Sequence, residues 1–245
     1  MGRGVLLVLV LSASCGEPGV PVNVSGTAFG FGGGGRIEGA TVGVVEFPDL
    51  STLTDEQGEW GFAGQLRSGD EVTFTLEGEG RPPIQTATFV LGEEGLEQVS
   101  FQSPDDFMYE LLSDMVSLEP DPERCQIAST VTRQGYTLFA WSGETHGEPE
   151  ATVSIEPALP FTSGPIYFDL ASAGVIWPDP DLTRTTDDGG VLFLDVPEGE
   201  YRLEAHKAGA TFREVKIKCR AGWVANAAPP WGLQALEGGV GPRLE

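Results

Sequence analysis

Short apolar and polar alternations, interrupted every few residues by glycine, proline or aspartate, run through almost the whole chain. Val22 to Phe29 alternate with small and polar residues, and Gly30 to Gly35 then reads as a glycine-rich turn. Val42, Val44 and Phe47 continue a second strand, broken at Pro48-Asp49. Val72, Phe74 and Leu76 follow at a strict period of two, as do Ala87, Phe89 and Leu91. A period of two places alternate side chains on one face of a pleated strand, so each run predicts a half-buried strand. About seven short strands, with turn signals every 8 to 12 residues or so, predict an antiparallel sandwich.

The pattern then occurs again. Thr54-Asp55-Glu56-Gln57-Gly58 leads into Trp60 and Phe62, and Thr186-Asp187-Asp188-Gly189-Gly190 leads into Leu192 and Leu194. Ala151-Thr152-Val153 likewise echoes Ala40-Thr41-Val42. Threonine and aspartate cap such turns by bonding nearby backbone N–H groups, and Gly58 or Gly190 supplies the positive φ. Two copies of one hairpin predict two similar β-sandwiches in series, over residues 22–102 and 125–233. The second copy carries extra residues within Glu156 to Arg184, an insertion rich in proline and aromatic residues. Binding sites tend to sit on such insertions.

Residues 103–124 break the period of two. Ser103 is placed as N-cap, Pro104 as the first helical residue, and Asp105 and Asp106 where the helix dipole favours negative charge. Phe107, Met108, Leu111, Leu112, Met115 and Val116 form one apolar face, and Pro120 and Pro122 end the helix. The expected fold class is therefore all-β: two tandem antiparallel β-sandwiches joined by one short helix.

The chain opens on Arg3, an unbroken apolar run from Val5 to Leu11, and Ser12-Ala13-Ser14 before Cys15. Seven residues cannot span about 30 Å of hydrocarbon as a helix, so residues 1–14 are expected to be a cleaved export signal. The small residues ending in cysteine resemble the lipobox of bacterial lipoproteins. That resemblance implies acylation of Cys15, with 15–21 as a tether, and Gly16 in place of aspartate implies sorting to the outer membrane. Plain signal cleavage is the alternative.

With Cys15 assigned to lipid, Cys125 and Cys219 remain. Each adjoins a strand-like run, so a disulfide between the first and a late strand of the second sandwich is expected, with two buried thiols as the alternative. Only His146 and His206 are present, neither at zinc-ligand spacing, and Asp179 and Asp181 lack the pattern of a calcium loop. No metal or cofactor is expected. The net charge of −23 repels phosphate backbones, which excludes nucleic acid as a natural partner.

Gly39-Ala40-Thr41-Val42, the two Thr-Asp hairpins, Val196-Pro197-Glu198-Gly199-Glu200-Tyr201 and Ala208-Gly209 together resemble the carboxypeptidase regulatory-like domain. The resemblance implies a transthyretin-like sandwich and carries no catalytic residue. No Gly-x-Ser-x-Gly elbow occurs, and Glu144-Thr145-His146-Gly147-Glu148 is expected to be an exposed hairpin loop, so an enzyme is not expected. The function expected is a structural or interaction module at the cell envelope, with another envelope or secreted protein as partner. The alternative is a carbohydrate-binding module, in which Tyr167, Trp177 and Trp231 stack on sugar faces unless the second core buries them. Residues 234–245 are read as a tail.

Overall fold

Alternating apolar residues along Pro21–Gly30 (β1) bury Val22, Val24 and Ala28 against rings supplied by three other strands. The computed structural model describes residues 19–32, 35–140, 146–170 and 176–240. Cys15, the export signal, residues 16–18 of the tether and residues 241–245 of the tail lie outside them.

The first sandwich sets β4 (Glu59–Arg67), β1 and β7 (Leu96–Ser103) against β3 (Ser51–Leu53), β2 (Thr41–Val44), β5 (Glu71–Glu77) and β6 (Ile84–Val90). Between the two sheets, Trp60 packs 5.1 Å from Phe74 and 5.6 Å from Phe101, centroid to centroid. These rings come from β4, β5 and β7, so the core ties both sheets together.

The second sandwich has β8 (Arg124–Thr132), β12 (Gly190–Pro197), β10 (Ile166–Leu170) and β11 (Ile176–Asp179) in one sheet. Facing them are β9 (Thr152–Glu156), β13 (Gly199–His206) and β15 (Val215–Cys219). The Cys125–Cys219 disulfide joins β8 to β15 across this core, as expected. The inserted residues form β10 and β11, which extend the sheet past β12.

Neither sandwich is purely antiparallel. β7 runs parallel to β1, and β16 (Val224–Ala227) and β17 (Leu233–Glu237) run parallel to β8. Parallel neighbours arise because the chain crosses to the opposite sheet before returning, a step that local periodicity does not record.

β6 belongs to both halves. One edge pairs with β5, and the other pairs with β16 at Ile84 and Gln85 and with β15 at Thr88. The sheet therefore runs unbroken from β3 to β9. Polar groups reinforce the seam: the Glu46 carboxylate accepts from Thr73 N–H at 2.6 Å and from Lys218 Nζ at 2.6 Å. Lys216 Nζ reaches Glu71 at 2.7 Å, and Gln85 Nε2 donates to the Lys218 carbonyl.

The helix, α1 (Asp106–Met115), lies over this seam and caps a cavity of about 80 Å³ floored by Ile84, Leu192 and Val224. Its cap differs from the expected one. Asp105 accepts from Met108 N–H at 2.8 Å, whereas Ser103 is the buried last residue of β7. The expected apolar face is split as well: Tyr109, Leu112 and Val116 point inward, while Phe107 is 73% exposed and Leu111 and Met115 are also exposed. Adjacent apolar residues on a helix stand about 100° apart, so one flat surface cannot cover both rows.

The two Thr-Asp corners make the same bonds, one residue away from the sequence alignment. Ala40 N–H donates to Thr54 Oγ1 at 2.9 Å, and Ala151 N–H donates to Thr185 Oγ1 at 2.9 Å. Gly58 (φ 70°) and Gly189 (φ 80°) then supply the left-handed residue, and their carbonyls accept from Ala28 and Val131 N–H at 2.8 Å each. Thr185 and Gly189 therefore take the roles that the sequence assigns to Thr186 and Gly190.

Candidate functional site

β6 separates from β15 after one residue pair, Lys216 with Thr88, and Phe89 and Val90 run on with no strand on that side among the described residues. A cleft of about 610 Å³ opens where the strands diverge, closed at one end by the Gly92–Gly95 turn. This volume lies within the ordinary range for ligand sites.

Trp231 lines the cleft between the two halves. A tight turn, in which Trp231 N–H donates to the Ala228 carbonyl at 3.1 Å, brings the ring back over the first sandwich. There its indole Nε1 donates to the Glu97 carbonyl at 2.7 Å, and its ring meets Phe89 edge-on at 6.2 Å. The Arg213 guanidinium lies 4.5 Å from the Trp231 centroid. Its Nε is buried and has no hydrogen-bond partner. Burial alone pushes the Arg213 pKa below the usual arginine range.

Arg213 forms no ion pair among the described residues. Lys216, beside it, is neutralised by Glu71 at 2.7 Å and Glu200 at 3.4 Å. The nearby Glu214 faces Arg202 at 3.7 Å. A desolvated guanidinium seated on an indole is prepared for a carboxylate, because its planar fork donates to two oxygens at once. No sequence signal distinguished Arg213 from other residues of its strand-like run; its lack of a partner exists only in three dimensions.

A second polar cluster sits at the repeated corner of the second sandwich. Tyr136 stacks on His146 at 4.9 Å, and Arg133 donates to the Gly147 carbonyl at 3.0 Å and to Asp187 at 3.1 Å. Asp188 accepts from Gly190 N–H at 2.9 Å. Burial dominates the titration of this cluster. It lowers His146 to about 4, with Arg133 adding to the effect, and raises Tyr136 to about 12 and Asp188 to about 6. His146 and Asp188 border a void of only about 40 Å³, room for a water or two but for no organic ligand.

The expected exposed loop at 144–148 is corrected here: Glu144 and Thr145 lie outside the described residues, Gly147 bridges Thr132, and Glu148 is wholly buried. Its carboxylate accepts from Lys207 Nζ and from Val240 N–H at 2.8 Å. A charge this deep needs a cation and a backbone donor, and short sequence spacing shows neither.

The three aromatic candidates do not converge. Tyr167 is 2% exposed in the second core, where its hydroxyl accepts from Val153 N–H at 2.9 Å, so it cannot stack on a sugar. Trp177 stands half-buried on the edge strand β11, and Trp231 alone lines the cleft. Asp181 N–H bonds Asp179 Oδ1 at 2.9 Å in a turn. Among the described residues no group of three or more histidines, cysteines or carboxylates could hold a metal ion, and no helix is long and apolar enough to cross a membrane.

No protein-family model matches the sequence, and no curated protein matches it. Solved structures do align with it. The Bacillus anthracis TIE protein is 14% identical over 89% of this chain, with a TM-score of 0.29, and this chain spans only 35% of that one. The minor pilin GBS52 of Streptococcus agalactiae is 10% identical over 91% of this chain and 98% of its own, with a TM-score of 0.26. The shaft pilin SpaA of Lactobacillus rhamnosus GG is 11% identical over 85% and 98%, also at 0.26. With TM-scores this low, the architecture is read from the chain's own strands.

Proposed function

We propose that this chain is a non-catalytic protein-interaction module of the bacterial envelope, exported and held to the outer membrane by an acylated Cys15. One observation carries the reading: β6 fuses two β-sandwiches into a single continuous sheet and leaves an open cleft along the join. Such a body presents a fixed surface, since neither half can swing without breaking the ladders of β6. The disulfide supports an oxidising compartment. The paired Thr-Asp corners support two carboxypeptidase regulatory-like, transthyretin-like domains over about residues 22–102 and 125–233, a family implied by motif alone.

Expression with the native leader in a host with an outer membrane tests the anchor. The wild-type chain is expected in the membrane fraction and Cys15→Ser in the soluble one; a Cys15→Ser protein that stays on the membrane with unchanged processing removes the lipid. Cross-linking from photoreactive residues along the cleft tests the module. Adducts with a second envelope protein support it, whereas retention on polysaccharide without protein adducts supports sugar binding instead.

A further inference from the structure

Chain-wide, the cations of this protein are outnumbered: 14 Lys and Arg face 37 Asp and Glu. Six of the twelve described Lys and Arg residues form ion pairs: Lys207, Lys216, Lys218, Arg133, Arg184 and Arg202. Arg213 forms none among the described residues and is half withdrawn from water, stacked on Trp231 in the wall of the cleft. Arg220 is also stacked on a ring, Trp223 at 4.0 Å, but Glu77, Glu46 and Glu198 act on its charge, whereas burial alone acts on Arg213. An uncompensated buried charge costs stability, and a stacked ring offsets only part of that cost.

From this arrangement we propose that the cleft binds an extended polypeptide segment carrying a single carboxylate, which Arg213 takes while the segment pairs with the open edge of β6. The inference rests on the protein-interaction reading and names the chemistry of the partner. Two features favour a peptide over a small acid. The cleft is walled by strands that part after the Thr88–Lys216 pair, so Phe89 and Val90 present an edge to which a further strand can add. Val90 is 71% exposed at that edge, and Phe89 offers apolar surface to alternate side chains of an added strand.

The rim sets the charge of the partner. Glu94, Glu97 and Glu214 border the cleft, so a segment with several acidic groups would be repelled and one isolated carboxylate is admitted. The net charge of −23 gives no long-range attraction to an acid, so recognition is a short-range event at the guanidinium.

Three probes test this on the full chain, read by backbone amide and indole NMR shifts. One is an acetylated hexapeptide of alternating valine and threonine with a free C-terminal carboxylate; the second is its C-terminal amide; the third is glucuronate. The free acid is expected to saturate at about tenfold lower concentration than the amide, shifting Phe89, Val90 and the Trp231 indole. Arg213→Gln, which removes the charge and keeps a polar side chain, is expected to fold as the parent does and to erase that tenfold difference. A peptide methylated on its central backbone nitrogens is expected to lose binding in both forms. Glucuronate binding as tightly as the free-acid peptide would overturn the proposal in favour of a simple acid site. Absence of saturable shifts with the free-acid peptide at millimolar concentration would overturn it outright. Protein adducts mapping away from the cleft would sink this inference and leave the interaction module standing. Peptide binding without any envelope adduct would do the reverse.

Discussion

Ile37 and Glu148 occupy the same place in the two sandwiches. Ile37 N–H donates to the Ala28 carbonyl at 3.1 Å and Glu148 N–H to the Val131 carbonyl at 2.8 Å, two residues before a matched pair with positive φ, Gly39 and Glu150. Both side chains are buried, but one is aliphatic and the other ends in a carboxylate held by Lys207. The second sandwich thus closes its corner with an ion pair where the first uses hydrocarbon.

Removing only the cation strands that charge. Lys207→Met is expected to lower stability by about 3 kcal/mol, because Glu148 then sits buried beside one backbone donor. Adding Glu148→Ile, which rebuilds the residue of the first copy, is expected to recover most of the loss. Urea unfolding of the two single variants and the double variant checks this, and additive losses would rule out the coupling.

Asp188 and His146 are expected to tilt stability against pH in opposite directions. Burial raises the Asp188 pKa from 3.8 to about 6, so its contribution is fully present below about pH 4 and is lost as pH rises through 6. His146 falls from 6.5 to about 4, so its contribution is present above about pH 6.5 and is lost as pH falls through 4. Each shift of about two units is worth about 3 kcal/mol. Asp188→Asn is therefore expected to gain on the wild type as pH rises from 4 to 7, and His146→Asn to lose on it. Urea midpoints across that range read the two slopes, and parallel curves would show that neither group titrates in this way.

What the sequence shows is what neighbours in sequence decide. The two Thr-Asp corners, the strands from Val72 and Ala87, the helix after Pro104 and the pairing of Cys125 with Cys219 all rest on local pattern or simple arithmetic, and all are present. Errors of one or two residues, Thr185 for Thr186 and Asp105 for Ser103, occur where neighbouring side chains each offer a capping oxygen and only the backbone path selects between them. The seam, the burial of Glu148 and the isolation of Arg213 were invisible because each depends on residues far apart in the chain. Val224 beside Ile84 is one such pair, and Lys218 beside Glu46 is another. Trp231 was singled out for its ring, but its position came from a turn and a bond to Glu97 that no periodicity records.

The disulfide is expected to be a main source of stability in the second sandwich. It closes a separation of 94 residues between β8 and β15, for which loop entropy gives on the order of 4 kcal/mol. Cys125→Ala together with Cys219→Ala should lower the urea midpoint by a corresponding amount. An unchanged midpoint would place the stability elsewhere.

Gly26 is expected to tolerate no side chain. It lies on β1 where an added Cβ would meet the Val99 carbonyl on one side and the Trp60 ring on the other. Neither can retreat, since Trp60 packs against Phe74 and Phe101. Gly26→Ala should cost about 3 kcal/mol by overpacking. Thermal unfolding tests it, and a loss below about 0.5 kcal/mol would mean that β1 shifts freely.

The continuous sheet predicts that the two sandwiches unfold as one. β6 contributes Ala87 to the second core while Ile84 packs in the first, and Val224 of the second half reaches back into the first core. Neither core can open while the other keeps β6 in place. Native-state hydrogen exchange should therefore assign the same opening free energy to amides of Phe74 on β5 and Leu203 on β13. Lys218 provides the perturbation: its ammonium reaches Glu46 at 2.6 Å and Glu71 at 3.6 Å across the seam. Lys218→Met removes a charged hydrogen bond from a partly shielded site, a loss of about 1 to 2 kcal/mol. Both amides should lose protection equally, although Phe74 and Leu203 stand in different cores. If Leu203 alone loses protection, the halves are separable units and the seam is a contact between independent domains.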